Sequence, residues 1–311
     1  MDGKIGVFGR ANDDYHTCIH REIQEAAQVA GLAVEVFDSE GSASKQAHDL
    51  VRFDYDNPGT RLCALVLPEA DAMYDGEIKS DPNLQVARRL LQKGVGWIAL
   101  NHGREALIPH LRNEFPKLPV GLIAIDNVEF GRTQAWQLRR LLPNGGTALC
   151  VRGNPFDSAC RDRSAGMQAE LEGSRIVVEE VDARWDAATA EKAVYTWLSS
   201  PMRRQVPLHA VVCQNDVMGV ASRKVLARAA GELGRPELTR LPVLGGDGLP
   251  HLGRRWVDEG DLTATVCVTL PGKPAVAQLV RYWRDGSSFA AVTRLPVQSY
   301  PSLNALSPAA Q

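Results

Sequence analysis

The sequence predicts an α/β fold made of two similar lobes, each built on a doubly wound parallel sheet. Three observations carry that prediction. Short apolar runs alternate with helical stretches of ten or more residues, the alternation expected of strands joined through crossover helices. The alternation starts afresh near residue 147. A chain of 311 residues also exceeds what one small hydrophobic core organises, and fits two α/β domains.

In the first array, Lys4 to Gly9 reads as a strand and Thr17 to Ala30 as a helix stopped by Gly31. Ala33 to Phe37 is a strand, Ser44 to Phe53 a helix, Leu62 to Leu67 a strand and Asn83 to Lys93 a helix. Trp97 to Leu100 and Val120 to Ile125 complete it as a fourth and fifth strand. The second array opens with strand Thr147 to Val151, helix Ser158 to Leu171, strand Ile176 to Glu180 and helix Ala187 to Leu198. Strand Ala210 to Cys213 runs into helix Val217 to Ala230, with Asn215 at the strand's carboxyl edge and Asp216 placed to cap the helix. Strand Pro242 to Leu244, helix Leu249 to Glu259, strand Thr263 to Val268 and helix Pro274 to Arg284 close the series. Trp136, Trp197, Trp256 and Trp283 fall within helical patterns and read as packing residues.

Composition narrows the function. Charged residues are 23% and hydrophobic ones 44%, near globular averages, and a net charge of −2 argues against a nucleic-acid surface. No segment approaches the run of about 20 apolar residues that spans a bilayer, so no membrane insertion is expected. Six cysteines, at 18, 63, 150, 160, 213 and 267, form no CxxC pair and mostly lie in or beside apolar runs, which predicts buried free thiols. Met1-Asp2-Gly3-Lys4 runs straight into a strand with no signal peptide visible. As written the chain reads as cytoplasmic, while a mature chain trimmed behind a signal peptide reads as periplasmic.

In open α/β sheets, ligands gather at the carboxyl edges of the strands. The residues following the strands include Asn12, Asp14, Tyr15 and His16 after the first, Glu69 after the third, and Asn101 and His102 after the fourth. In the second array they include Arg161, Trp185, Asn215, Asp247 and Thr269. Carboxylates, amides, one arginine and two aromatics at equivalent edges describe a cleft between lobes suited to a small, neutral, hydroxyl-rich molecule. An ionised Asp247 accepts from two vicinal hydroxyls at once. Arg161 offers planar donors to ring and hydroxyl oxygens. Tyr15 and Trp185 offer flat apolar faces to the C–H side of a ring. For a ligand of about a dozen heavy atoms, micromolar affinity needs roughly −0.7 kcal/mol per atom, within reach without a metal or cofactor.

At these residues the chain resembles the type I periplasmic-binding-protein superfamily, more closely its sugar-binding, ribose-binding-protein-like group. It is also similar to the ligand-binding core of LacI-type regulators. The resemblance rests on Ser158-Ala-Cys-Arg161-Asp-Arg163-Ser-Ala-Gly166-Met167, on Gln214-Asn215-Asp216-Val-Met218 and on Leu244-Gly-Gly-Asp247-Gly248, in order and with family-like spacing. It implies three crossings between lobes, near Asp126-Asn127, Thr269-Leu270 and Pro296. The first lobe is then 1–126 with 270–297, the second 127–269 with 298–311, and hinge closure is the working motion. It also implies that Arg161, Trp185, Asn215, Asp247 and Thr269 face the ligand from the second lobe, and Tyr15, His16, Asn101 and His102 from the first. Ribose binders of the group place Asp-Arg where this chain has Asn101-His102, two Phe where it has Tyr15-His16, and Gln where it has Thr269.

Other chemistries find less support. His16 and His20 share a helix face, as a metal site requires, but no third ligand has suitable spacing. The glycines of Gly6-Val-Phe-Gly9 and Gly245-Gly246-Asp247-Gly248 lack the order of a dinucleotide loop or P-loop, no GxSxG elbow occurs, and Cys213 has no evident histidine base. The expectation is a non-enzymatic solute binder that serves an ABC-type transporter and its permease. The alternatives are a sugar sensor with a signalling partner and no direct contact with nucleic acid, and an α/β enzyme of hydrolase or isomerase type.

Overall fold

The computed structural model describes residues 3–69, 82–103, 105–203 and 206–308. The chain forms two compact units, Met1–Ile125 with Thr269–Leu295, and Asp126–Val268 with Pro296–Gln311.

The first unit carries strands β1 (Lys4–Gly9), β2 (Ala33–Asp38), β3 (Leu62–Val66), β4 (Gly96–Asn101) and β5 (Val120–Ile125). Between them run helices α1 (Asp14–Ala30), α2 (Ala43–Tyr55), α3 (Pro82–Gln92) and α4 (Leu107–Glu114). In the sheet, β1 lies between β2 and β3, β4 and β5 follow, and every pairing is parallel. β1, β3, β4 and β5 are apolar along almost their whole length, as strands covered on both faces must be. Leu50 and Phe53 of α2, Leu84, Leu90 and Leu91 of α3, and Ile108 and Leu111 of α4 share one core with Phe8, Val66 and Trp97. The handedness of crossovers puts α1 on the other face, where the later helix α10 (Gly272–Asp285) packs beside it.

In the second unit, a helix α5 (Asn127–Leu141) precedes β6 (Gly146–Arg152), α6 (Ser158–Leu171), β7 (Ile176–Asp182), α7 (Ala187–Ser199), β8 (Ala210–Cys213), α8 (Asp216–Glu232) and β9 (Val243–Leu244). Its parallel sheet runs β7-β6-β8-β9. One face packs on α7 and α8 through Val194, Trp197, Met218 and Val225. The other packs on α5 and α6 through Leu138, Met167 and Leu171. β10 (Thr265–Val268) joins through single parallel bridges, Leu244 to Ala264 and Asp247 to Cys267.

α5 and α6 meet backbone to backbone. A Cβ on Gly131 would stand 1.9 Å from the Arg163 carbonyl oxygen, and one on Gly166 would stand 2.0 Å from that of Val128. No neighbour can yield there, because both obstacles are main chain. Gly131→Ala is therefore expected to destabilise the protein by about 3 kcal/mol, the upper range for overpacking. Urea unfolding reads this directly, and a midpoint unchanged from wild type would contradict the packing.

The alternating α/β class is as expected, with differences at the ends. Leu249 to Glu259 is not one helix: a π-helical turn over Pro250–Arg254 precedes a single α-turn, α9 (Arg255–Asp258). Pro250 supplies no N–H and Gly253 weakens the turn. The strand series does not end with the helix after residue 271. β11 (Val292–Leu295) pairs parallel with β5, and β12 (Val297–Tyr300) pairs antiparallel with β10. Pro296 divides one extended run so that the two strands serve different units. Five cysteines are buried, Cys18 is half-buried, and all six are free. Trp197 and Trp283 are buried, and Trp256 packs against the second core. Among the described residues, no helix is long and apolar enough to cross a membrane.

Candidate functional site

In the first unit the chain leaves β1 toward β2 and returns on the far side as β3, so a crevice opens at the carboxyl ends of β1 and β3. Glu69 lies there, but not as a ligand group. Its carboxylate accepts from the Arg10 N–H (3.1 Å), the Arg10 guanidinium (2.8 Å) and Ser39 Oγ (2.6 Å), and its side chain is 2% exposed. Glu69 braces the ends of three strands, and three donors and near-complete burial commit its carboxylate to that structural role. Arg10, 42% exposed, is the member of the pair that reaches solvent.

α1 begins beside this crevice. Asp13 caps it by accepting from the His16 N–H at 2.8 Å, and also takes His16 Nδ1 at 2.7 Å. Burial acts to raise the Asp13 pKa, but the bonds from His16 prevail and hold it below the ordinary value. Asn12 and Asp14 on either side are exposed. Tyr15 donates its hydroxyl to Asn101 Oδ1 at 2.7 Å and stands edge-on to the His16 ring. Asn101 ends β4 at φ 70°, and His102 follows with its N–H on the Leu100 carbonyl. Tyr15, His16, Asn101 and His102 thus belong to the edge the sequence assigned them. His20 is buried one turn below His16, and burial with the neighbouring His16 depresses its pKa. Among the described residues, no group of three or more His, Cys, Asp or Glu is placed to hold a metal ion.

In the second unit the corresponding crevice opens between β6 and β8. Arg161 is not its arginine. It lies exposed on α6 and donates to the Phe156 carbonyl at 2.5 Å. The arginine at the centre is Arg163, 5% exposed, which donates to Asn127 Oδ1 at 2.9 Å and to the Gln214 carbonyl. Its guanidinium stacks 3.7 Å from the Phe130 ring centroid, lies 5.3 Å from that of Trp185 and stands 3.6 Å from Asp247 Oδ1. The signal was in the sequence. Cys160, Arg163, Ser164, Met167 and Leu171 form the buried stripe of α6 at helical spacing, while Arg161 falls on the opposite face.

Asp247 follows β9 at φ 93°, and Trp185 follows β7 at φ 65°. Positive φ in a residue as bulky as Trp is an outlier that its surroundings must enforce. Trp185 gives its indole N–H to Asp157 Oδ2 at 2.6 Å, and its carbonyl accepts from Asn215 Nδ2 at 3.2 Å. Its ring lies over Gly153, where a Cβ would stand 2.1 Å from the indole, so only glycine fits beneath it. Thr269 is exposed and belongs to the first unit, at the crossing itself.

The cap expected at Asp216 is supplied by Asn215, and Asp216 has a structural role of its own. Asn215 is the cap of α8, accepting from the Met218 N–H at 3.0 Å, so both halves of its amide are engaged. Asp216 is 4% exposed and accepts from Thr265 Oγ1 (2.6 Å) and the Gly248 N–H (2.8 Å), which fixes the turn that carries Asp247. Burial, and then the Asp247 charge, push its pKa well above the ordinary carboxylate value. A raised folded-state pKa means that the folded protein binds the proton more tightly than the unfolded chain. The associated stability is whole below about pH 3.9 and is lost as pH rises through the folded-state value. Asp216→Asn cannot ionise, so the stability of wild type relative to this variant is expected to fall as pH rises. Urea unfolding between pH 4 and 8 checks this, and a pH-independent difference would contradict it.

Two sheet edges therefore carry bonded polar groups beside aromatic rings, with charges balanced locally as Arg163 with Asp247 and Arg10 with Glu69. That chemistry matches hydroxyls and C–H faces better than an anion or a cation. Comparison with known proteins agrees in kind. Residues 112–286 match the family described as Periplasmic binding protein domain. The D-galactose/methyl-galactoside binding periplasmic protein MglB of Haemophilus influenzae is 26% identical over 276 residues, covering 85% of this chain and 76% of that protein. The fold is shared with a periplasmic solute binding protein of an ABC transporter from Actinobacillus succinogenes, bound to D-allose (TM-score 0.75, 16% identity, 96% of each chain). It is shared also with the Caulobacter myo-inositol binding protein (TM-score 0.73, 24% identity, 94% of this chain and 92% of that one).

Proposed function

The chain belongs to the periplasmic binding protein family, and from that premise we propose that it binds a small, neutral, hydroxyl-rich solute, a sugar or cyclitol, and delivers it to an ABC-type transporter. The observation that carries the reading is the Arg163–Asp247 pair, set against Trp185 at the carboxyl edge of the second sheet. Asp247 supplies a charged acceptor for vicinal hydroxyls, Arg163 a fixed planar donor, and Trp185 an apolar surface. The carboxyl edge of the first sheet carries groups of the same kind, the Asn101 amide and the His16 ring. The ligands named for the similar proteins, galactosides, D-allose and myo-inositol, have this chemistry in common.

The proposed role is binding without turnover. Cys213 and Cys160 are pushed up to about 12 and about 11 by burial, which keeps both as thiols rather than nucleophilic thiolates. The proposed motion is a bend at the three chain crossings, so that ligand makes the protein more compact. A thermal-shift screen against pentoses, hexoses, cyclitols, sugar phosphates and amino acids tests the reading. A ligand at a hundred times its dissociation constant adds about 2.7 kcal/mol of stability, a readily measured shift. Neutral polyols are expected to be the hits, and small-angle scattering with a saturating hit is expected to give a smaller radius of gyration. Hits confined to phosphates or amino acids would overturn the proposed pocket chemistry, and superimposable scattering curves would overturn the motion.

A further inference from the structure

We propose that Asp157 is a positioning residue for Trp185: it takes the indole N–H, so that the ring surface rather than the nitrogen is left for the ligand. The inference rests on the solute-binding reading above. Asp157 occupies the N-cap position of α6, in the extended conformation that normally lets Asp accept from the first turn of the helix. Asp13, Asp126, Asp186 and Asn215 do so at the starts of α1, α5, α7 and α8. Asp157 makes no such bond. Its Oδ2 accepts from Trp185 Nε1 at 2.6 Å, and its Oδ1 accepts from Asn154 Nδ2 at 3.2 Å.

The consequence for Trp185 follows from its other restraints. The Asn215 amide holds its carbonyl, and Gly153 lies beneath its ring. These fix the main chain and one face, while the bond to Asp157 fixes the rotation of the ring about its own axis. A short bond from an indole N–H to a charged acceptor is strong enough to hold that rotation. It also leaves no donor on the indole for a ligand hydroxyl. Trp185 then meets the ligand as an apolar surface, and selects a ring with a C–H face.

A double-mutant cycle tests this, with calorimetric titration of myo-inositol, D-galactose and D-allose into wild type, Asp157→Ala, Trp185→Phe and the double variant. Phe keeps an aromatic face but has no N–H. Asp157→Ala alone is expected to weaken binding about tenfold, and Asp157→Asn, which retains an acceptor oxygen, to lie within about threefold of wild type. In the Trp185→Phe background, Asp157→Ala is expected to change affinity by less than about twofold. If the two losses multiply in the double variant, Asp157 acts independently of the indole and the proposal is overturned.

A second reading needs no ligand. The Trp185 indole N–H signal in a proton–nitrogen correlation spectrum is identified by its loss in Trp185→Phe. It is expected to move upfield in Asp157→Ala, and a signal that stays in place overturns the proposal. If none of the three probes binds wild type, the solute reading fails on its own, while the indole signal still decides the role of Asp157.

Discussion

Replacing Arg163 with methionine is expected to remove ligand binding and to destabilise the fold by about 3–5 kcal/mol, because it takes one partner out of a buried, hydrogen-bonded charge pair. The side chain holds Asn127, the Gln214 carbonyl, the Phe130 face and Asp247 together. Arg163→Lys is expected to recover little of either property, since an ammonium cannot make planar contacts on two sides and stack at once. Arg161→Ala is the matched control. That side chain is exposed and, among the described residues, bonded to its own loop, so stability is expected to stay within about 0.5 kcal/mol and affinity to be unchanged. Denaturant unfolding and calorimetry on the three variants measure this. The opposite pattern, with Arg161→Ala silencing binding and Arg163→Met sparing it, would refute the assignment.

Asp247→Ala is expected to raise the dissociation constant on the order of a hundredfold, because each charge-assisted hydrogen bond it loses is worth about 1.5–3 kcal/mol. Stability is expected to fall as well, by less than in Arg163→Met, because the buried Arg163 charge loses its carboxylate partner. The main-chain bond from the Val268 N–H to the Asp247 carbonyl survives, and Arg163 retains its other acceptors. Asp247→Asn, which keeps the acceptor geometry without the charge, is expected to fall between the two. Calorimetric titration reads the order of affinities, and equal affinity across the three proteins would show that Asp247 does not contact the solute.

The central strands of both parallel sheets were legible because a strand buried on both faces reads as an unbroken apolar run. Lys4–Gly9, Val120–Ile125 and Ala210–Cys213 have the bounds that the pattern predicts. β11 and β12 were not legible, since half-buried four-residue strands divided by a proline carry no such run. At the candidate site, sequence position identified the edges but not the side chains. Glu69 follows a strand as a ligand residue would, yet its carboxylate is consumed by Arg10 and Ser39, contacts between segments far apart in sequence. Arg161 and Arg163 both lie in the first two turns of their helix, and the helical period separates the solvent face from the buried one. Asn215 and Asp216 both suit a cap. What decides between them is Thr265 and the Gly248 N–H, which claim the Asp216 carboxylate from 32 or more residues away.

The most direct test of the account is calorimetric titration of wild type and Asp247→Ala with D-galactose, D-allose and myo-inositol. The account predicts that at least one of them binds wild type at one site per chain, with a dissociation constant near the micromolar range (about −8 kcal/mol), and that Asp247→Ala binds it on the order of a hundredfold more weakly. Absence of binding by all three, or undiminished binding by Asp247→Ala, would contradict it.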